Sequence, residues 1–331
     1  MSGQRIDAVD ALRGFTVAAM LLVNNPGSWG AIYWPLDHAP WHGWTPTDLI
    51  FPFFLFIVGI TTELSRKEPL GIIRRGLLIV LCGLLLNGFP HYHLGELRWS
   101  GVLQRIGIVY IAAALIAWKA SARTILVIVA AILLGYWALL SLGPLQPPEA
   151  TIAARVDRAV IPAPHIWKQG KTWDPEGVLS TLPAIATALL GVLVTPWVRK
   201  QNVSMLTICG ATLTLAGLAW GLVFPINKNL WTSSYVVFTA GAAMLILALW
   251  MRYLPAKPFV VFGVNPLVAF VGTGVMARVL DITGLKARSY RLLFKPYFEP
   301  HLASLLWALA FVLLWYGLLY ILYKRRIYVR L

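Results

Sequence analysis

Residues 47–64 read TDLIFPFFLFIVGITTEL, an apolar run long enough to cross a lipid bilayer as an α-helix. About 20 predominantly apolar residues are needed for such a crossing. Similar runs recur along the 331-residue chain, of which 59% of the residues are hydrophobic and 12% are charged. Since soluble domains carry about 25% charged residues, this composition excludes a soluble enzyme, a disordered chain and a secreted disulfide scaffold. The sequence predicts an all-α integral membrane protein.

The apolar runs predict about ten transmembrane helices in a single polytopic domain over residues 1–331. Proline and glycine mark several of the loops between the runs. The run over 258–280 is the least regular, because Asn265-Pro266 and several glycines interrupt it. The predicted spans are 9–25, 47–64, 70–89, 101–118, 123–142, 177–197, 204–224, 231–251, 258–280 and 302–323.

The charge distribution predicts an orientation. A net charge of +15 would suggest a nucleic-acid partner for a soluble protein, but basic cytoplasmic loops explain it in a membrane protein. Ten spans place both termini on one side, and every short loop on that side is basic, so we expect cytoplasmic termini. The outer loop 281–301 is the exception, with four cations. They are Lys286, Arg288, Arg291 and Lys295.

Two outer segments are too elaborate for simple connectors. Residues 26–46 read PGSWGAIYWPLDHAPWHGWTP, and residues 143–176 form a long proline-rich loop. Long loops in compact domains tend to be functional. The tryptophans of the first segment fit either an interfacial aromatic belt or the floor of a sugar site. They are Trp29, Trp34, Trp41 and Trp44.

Polar residues at membrane depth are expensive and indicate function by default. Asn24 closes the first helix and Asp48 opens the second, where Asp48 can also serve as a helix cap. His38 and His42 lie in the loop between them. Histidine is the usual general base, although a loop histidine is often only a polar residue.

A second group of candidates lies at the outer helix ends. Arg105 lies inside the fourth predicted span, where a guanidinium needs a partner or an anion. The segments DPEG and INKNLW add Asp174, Glu176, Lys228 and Asn229. These residues can form a compact polar site, although their spacing alone does not prove one. No metal is expected, because the His-x-His pair in another outer loop has only one nearby acid.

Six segments, in this order, resemble the heparan-α-glucosaminide N-acetyltransferase family of polytopic transmembrane acyltransferases. The resemblance extends over roughly residues 7–330. Each segment alone is a weak signal, but their order and spacing make a strong one. The segments are DALRGFTVAAMLLVNN (10–25), DHAPWHG (37–43), DLIFPFFLFIVG (48–59), GVLQRIGIVY (101–110), DPEGVLSTLPAI (174–185) and FPINKNLWTSSY (224–235).

The resemblance implies transfer of an acetyl group from cytosolic acetyl-CoA to the amine of a glucosamine-type sugar on the outer face. The family's essential histidine corresponds to His38 and its asparagine to Asn24. We expect Asp48 or Asn24 to fix the imidazole or the thioester carbonyl. His42 stands where the family has an asparagine. The expected contacts to the acceptor are Trp41, His42, Arg105, Asp174, Glu176, Lys228 and Asn229.

The donor needs cations at the inner face, where Arg74 and Arg75 begin the third predicted helix. Basic inner loops also follow from orientation alone. The family's large luminal domain has no counterpart in this sequence and the 143–176 loop is short. We therefore expect a bacterial inner-membrane member whose acceptor is not heparan sulfate, and the resemblance implies a possible homodimer.

Two other functions stay open at this point. The same fold can O-acylate a cell-envelope glycan, or the chain can be a sugar or glycan transporter. Binding of CoA separates an enzyme from a transporter, since a sugar carrier has no use for it. Acetyl-histidine chemistry and direct transfer also stay open.

Overall fold

The computed structural model describes residues 6–65 and 67–329, and within these ranges every regular element is a helix. This confirms the predicted all-α class. Arg5, Arg66 and Arg330, three of the cations behind the predicted orientation, lie outside the described ranges. The α-helices are α1 (Asp7–Asn24), α2 (Ile50–Ser65), α3 (Pro69–Gly88), α4 (Val102–Lys119), α5 (Ala122–Leu140), α6 (Ile152–Val160), α7 (Thr181–Arg199), α8 (Val203–Gly221), α9 (Ser233–Arg252), α10 (Lys257–Val264), α11 (Pro266–Ile282), α12 (Leu285–Leu293) and α13 (Pro300–Lys324).

Helices occupy all ten places where the sequence predicts a span. Within the described ranges, eight are long and apolar enough to cross a membrane, or up to nine if the bent pair α10–α11 is one span. The tenth place is α1, which carries Asp7, Asp10 and Arg13. Arg13 pairs with Asp10 through its Nη2, three residues along the same helix face, which confirms the ion pair that this spacing allows.

The irregular run 258–280 consists of two helices that meet at an angle of 75°. Pro266 lacks an amide hydrogen and cannot continue the preceding helix. The first of the two, α10, packs closely on α1: a Cβ on Gly14 would overlap the carbonyl of Phe259, and one on Gly263 would overlap that of Asp10. Small residues allow this close approach of two backbones.

The bundle has a buried centre and a peripheral ring. In α7 and α9, 67% of the apolar window is buried inside the protein, against 17% in α8. The central helices also meet at glycines, because Gly59 of α2 lies against the backbone of Ala188 in α7. A peripheral helix that stays apolar on its exposed side is typical of contact with lipid.

The segments that precede α2 and α7 meet at one end of the bundle, which we call the outer end. Trp41 donates from Nε1 to the carbonyl of Leu145 at 2.9 Å, which joins the two segments. The amide of Ser28 donates to Oγ of Ser304 at 3.0 Å, so the start of α13 lies at the same end. The opposite end, where α2 finishes, is the inner end.

Candidate active site

His38 and Asp48 form a hydrogen-bonded pair at the outer end of α2. Their Nδ1 and Oδ1 atoms are 2.7 Å apart. The side chain of Asp48 is 2% exposed and that of His38 is 48% exposed. Because a carboxylate only accepts, Nδ1 carries the hydrogen and Nε2 keeps its lone pair when the ring is neutral. The pair therefore presents an oriented imidazole base to the outside.

The local sequence explains why Asp48 is held so firmly. Its Oδ2 accepts hydrogen bonds from the amides of Thr45 at 3.1 Å and Ala39 at 3.0 Å, and Thr45 and Asp48 form a capping box. The Tyr235 hydroxyl donates to the backbone carbonyl of Asp48 at 2.5 Å. One carboxylate oxygen thus caps the turn that leads into α2 and the other orients His38, so the capping and the functional interpretations of Asp48 both apply.

Lys228 completes this group from a loop far away in the sequence. Its Nζ lies 3.1 Å from Nδ1 and 3.2 Å from Nε2 of His38, and 3.7 Å from Oδ1 of Asp48. The in-plane directions of the two ring nitrogens diverge, so an atom equally close to both lies over the face of the ring. Burial lowers the pKa of Lys228, and the negative charge of Asp48 opposes that effect.

His42 takes its partner from the same loop as Lys228. Nδ2 of Asn227 lies 3.3 Å from Nδ1 of His42, and Oδ1 of Asn227 accepts from the amide of Leu230 at 2.8 Å. Burial lowers the pKa of His42, which favours its neutral form. Sequence analysis selected Asn229, which is half-buried, and missed Asn227. Nothing in the segment INKN distinguishes the two asparagines.

Arg98 holds Asp174 and Glu176 together and was missed as a site residue. It donates to Asp174 from Nε at 2.9 Å and Nη2 at 2.5 Å, and from Nη2 to Glu176 at 2.6 Å. Ser100 donates to the same aspartate at 2.6 Å. Burial acts to raise the pKa of Asp174, but the bonds and charge of Arg98 outweigh it and lower the pKa. Both predicted acceptor carboxylates therefore have structural partners.

Arg105 is fully enclosed by the protein. Its Nη2 donates to Oγ of Ser180 at 2.5 Å and to the carbonyl of Gly177 at 3.2 Å. The guanidinium lies 5.1 Å from the centre of the Trp231 ring. Its Nε and Nη1 have no hydrogen-bond partner among the described residues. Arg105 therefore fastens the start of α7 to α4.

The tryptophans of the first outer segment fall into two environments. Trp41 packs edge-to-face against Trp173, with ring centres 5.2 Å apart. Trp29 and Trp34 are 66% and 68% exposed, as expected of rings at a membrane interface. The belt interpretation therefore fits those two, while Trp41 lies beside His42 within the polar group.

A buried carboxylate in α6, within the 143–176 segment, predicts a pH dependence of stability. Burial raises the pKa of Asp157 to about 6, against about 3.9 in an unfolded chain. The folded state therefore binds more protons than the unfolded chain between about pH 4 and 6. The free energy of unfolding falls as the pH rises through that interval, by up to about 3 kcal/mol at 1.36 kcal/mol per pKa unit. Above the folded pKa the loss is constant.

We expect Asp157→Asn to remove this pH dependence, since its Oδ1 can still accept from the amide of Val178, now 2.9 Å away. The measurement is the difference in free energy of unfolding between the variant and wild type from pH 4 to 7. The difference should grow in favour of the variant up to about pH 6 and then level off. A constant difference across the whole range would contradict this prediction.

An inner cavity of about 660 Å³ lies between α1, α2, α3, α4 and α11. Its wall follows α2 from Ser65 at the inner end up to Phe51 and Ile50, directly after the Asp48 turn. The lining carries four cations and two acids, Asp10 and Glu63; Arg75 is part of it, whereas Arg74 is exposed and lies outside it. The cations of the lining are Arg13, Lys67, Arg75 and Arg199.

An outer cavity of about 320 Å³ lies above the inner one. Asn24 lines it, so the structure places this asparagine in a cavity whose lining does not include His38. The two cavities share four lining residues and meet at that level. The four are Met20, Val102, Leu103 and Phe270.

Comparison with known proteins confirms the family resemblance. The family described as Heparan-alpha-glucosaminide N-acetyltransferase, catalytic, matches residues 5–154. The curated protein "Heparan-alpha-glucosaminide N-acetyltransferase" of Mus musculus is 27% identical in an alignment 410 positions long, which covers 99% of this chain. The protein of the same name from Homo sapiens is 27% identical and covers 98%. The chain is similar to the heparan-alpha-glucosaminide N-acetyltransferases over nearly its whole length.

The family model covers only some of the candidate residues, whereas the alignments with the two acetyltransferases cover nearly the whole chain. The chain spans about 60% of the length of the two acetyltransferases, 60% in the mouse protein and 59% in the human one. The family match at 5–154 includes the outer segment with His38 and the start of α2. Lys228, Asp174 and Glu176 lie beyond residue 154 but within the region aligned with both acetyltransferases.

Proposed function

We propose that this protein transfers the acetyl group of acetyl-CoA to the amine of a glucosamine-type acceptor at the outer end of the bundle. The observation that carries the proposal is the His38–Asp48 pair, located where the wall of a deep cavity from the inner end reaches the outer end of α2. A donor from one face can thus approach an acceptor from the other.

The inner cavity suits the donor. The cations of its lining outnumber the acids, and Arg75 in particular can offer charge-assisted hydrogen bonds to the phosphates of CoA. Its lining follows α1 from Ile6 to Met20, a rise of about 21 Å at 1.5 Å per residue. An extended pantetheine arm can lie along this apolar wall with its thioester beneath the Asp48 turn.

The proposed chemistry is general-base acyl transfer. The neutral amine attacks the thioester carbon, the C–N bond forms, and Nε2 of His38 accepts the proton that the amine loses. Collapse of the tetrahedral intermediate breaks the C–S bond, and the proton passes to the departing thiolate. Asp48 holds the imidazole and stabilises its charged form. An amide N–H such as that of Asn24 can stabilise the oxyanion. Transfer through acetyl-His38 uses the same groups.

The topology is part of the proposal. We place the inner end in the cytoplasm because the short loops at that end are basic. The bacterial inner membrane and a homodimer stay predictions from the resemblance. The remaining acceptor contacts proposed from the sequence are Trp41, His42, Arg105, Asp174, Glu176, Lys228 and Asn229.

The test is release of free CoA thiol from acetyl-CoA by detergent-purified protein with glucosamine. We expect thiol release and formation of N-acetylglucosamine in equal amounts. N-acetylglucosamine offered as acceptor is the control, because its nitrogen is blocked. Thiol release with the blocked sugar would instead support O-acylation. Absence of both thiol release and CoA binding would support a transporter.

Two adjacent arginines allow a matched test of the donor site. We expect Arg75→Ala to weaken CoA binding about 10-fold or more, the effect of losing one hydrogen bond to a charged group. Arg74→Ala removes the same charge from an exposed position outside the cavity lining and should weaken binding less. The dissociation constant of CoA, measured by calorimetry, decides between them. Equal effects would mean that only the general charge of the inner face matters.

A further inference from the structure

The outer cavity is polar although it lies at the ends of membrane-spanning helices. It is enclosed by the outer ends of α1, α3, α4 and α11. Polar and charged side chains in such segments are costly and indicate a function. The polar side chains are the amides Asn24, Asn25, Asn87 and Gln104, the guanidinium groups of Arg98 and Arg278, Thr273 and Asp281.

Only one of the two guanidinium groups has its charge balanced. Arg98 pairs with Asp174 and Glu176. Arg278 donates from Nη1 to the carbonyl of Gly274 in its own helix at 3.2 Å, and no carboxylate of the described residues lies within 4.0 Å of it. Asp281 belongs to the same lining but pairs with Lys286 at 3.8 Å. Among the described residues, the Arg278 guanidinium in this cavity therefore has no paired carboxylate.

A second donor in the same lining is also unused. Gln104 is 4% exposed, and its Nε2 has no hydrogen-bond partner among the described residues. A buried amide left without a partner costs about 1–3 kcal/mol. A ligand that accepts a hydrogen bond removes this cost, and an anion does so while also balancing Arg278.

We propose that the outer cavity binds an oxyanion substituent of the acceptor, with Arg278 as its counterion and the Gln104 amide as a donor. This rests on the proposed acetyl transfer and adds that the preferred acceptor carries a carboxylate, sulfate or phosphate group besides its amine. The cavity meets the inner cavity at Met20 and Phe270. An anion held there keeps the rest of the sugar near the end of the donor path.

The charge pattern of α12 supports this proposal. This helix begins four residues after Asp281, a lining residue of the cavity. The segment around it carries the four outer cations that break the orientation rule. Cations beside a cavity raise the local concentration of anionic ligands. In the proposal, the cations of 281–301 attract anions toward this end of α11.

The first experiment measures binding to the full-length protein in detergent by calorimetry. The probes are glucosamine, glucosamine 6-phosphate, glucosamine 6-sulfate and inorganic phosphate. We expect the two esters to bind at least about tenfold tighter than glucosamine and tighter than inorganic phosphate. Equal affinities for glucosamine and the esters would overturn the proposal. If inorganic phosphate bound as tightly as the esters, the sugar would contribute nothing, and the proposal that the cavity binds an acceptor would be overturned.

Gly274 provides a matched pair of variants. A Cβ at this position would lie 3.5 Å from Nη1 of Arg278 and 3.1 Å from the flexible end of Leu86. A glutamate there, one turn before Arg278, can pair with it internally, whereas glutamine has the same shape without the charge. We expect Gly274→Glu to reduce the preference for the esters about tenfold and Gly274→Gln to keep it.

A second pair guards against a purely steric effect at Gly274. Arg278→Lys keeps the charge and should keep a preference for the esters, whereas Arg278→Gln should abolish it. A preference retained in Arg278→Gln would overturn the proposal. Thiol release is recorded separately. Thiol release without a preference for the esters would contradict the anion site and leave the acetyltransferase proposal intact. A preference for the esters without thiol release would contradict the proposed acetyl transfer.

Discussion

His38→Ala is expected to lower the rate of thiol release by about 10²–10⁴-fold, the usual contribution of a positioned general base. The substitution removes the positioned imidazole that accepts the proton of the amine. Asp48 is a poor replacement, because its Oδ2 still accepts from the amides of Ala39 and Thr45, and its Oδ1, although freed of His38, lies 3.7 Å from Nζ of Lys228. CoA binding should survive, since His38 does not line the inner cavity.

The control for this variant is His91→Ala, which removes an exposed histidine from another loop of the outer end. It should leave thiol release at the wild-type rate. Single-turnover measurements with acetyl-CoA, with and without glucosamine, separate chemistry from binding. Near-normal turnover of His38→Ala would exclude both the base and the acetyl-histidine mechanisms at this residue.

Asp174→Ala is expected to have the largest effect on stability. It removes the acceptor of two Arg98 bonds and of the Ser100 hydroxyl, and it leaves a mostly buried guanidinium with Glu176 alone. Breaking a buried pair from one side costs about 3–5 kcal/mol. We expect about 3 kcal/mol, the lower end of that range, because Glu176 still pairs with Arg98.

The matched control breaks an exposed pair in the same region. Lys168 and Glu96 are 2.7 Å apart, with side chains 72% and 63% exposed. Exposed pairs contribute little because water screens them, so Lys168→Ala should unfold like wild type. The free energy of unfolding is measured by SDS titration from detergent micelles. Equal losses of unfolding free energy in both variants would show that the bonds of Arg98 to Asp174 and Glu176 stabilise the protein no more than an exposed ion pair does.

The candidate site was partly predictable. His38 and Asp48 were selected from the sequence, since histidine and aspartate in a loop between two spans suggest a base and its partner. The contact between them depends on how the segment 38–48 folds back on itself, so that one carboxylate caps the turn before α2 and also reaches the imidazole. Lys228 was selected only as a contact to the acceptor, and its position over the imidazole became visible in the fold alone.

Other residues escaped prediction for a physical reason. Arg98 is an ordinary loop cation in the sequence, and its partner Asp174 follows 76 positions later. The Arg278 position could be read as a snorkelling cation at a helix end. Only the arrangement of α1, α3, α4 and α11 shows that it lines a cavity beside Gln104. No local pattern encodes either relation.

The sequence by itself determined where the long apolar helices lie, including the weak point at Asn265-Pro266, but it did not predict α6 and α12, which lie in segments expected to be loops. Length and apolar content decide whether a segment can satisfy its backbone hydrogen bonds within a membrane, and both are local properties. The tertiary structure alone decided which polar groups meet and where the cavities run. Those relations join residues up to 276 positions apart, and they depend on how closely helices approach at residues such as Gly14 and Gly59.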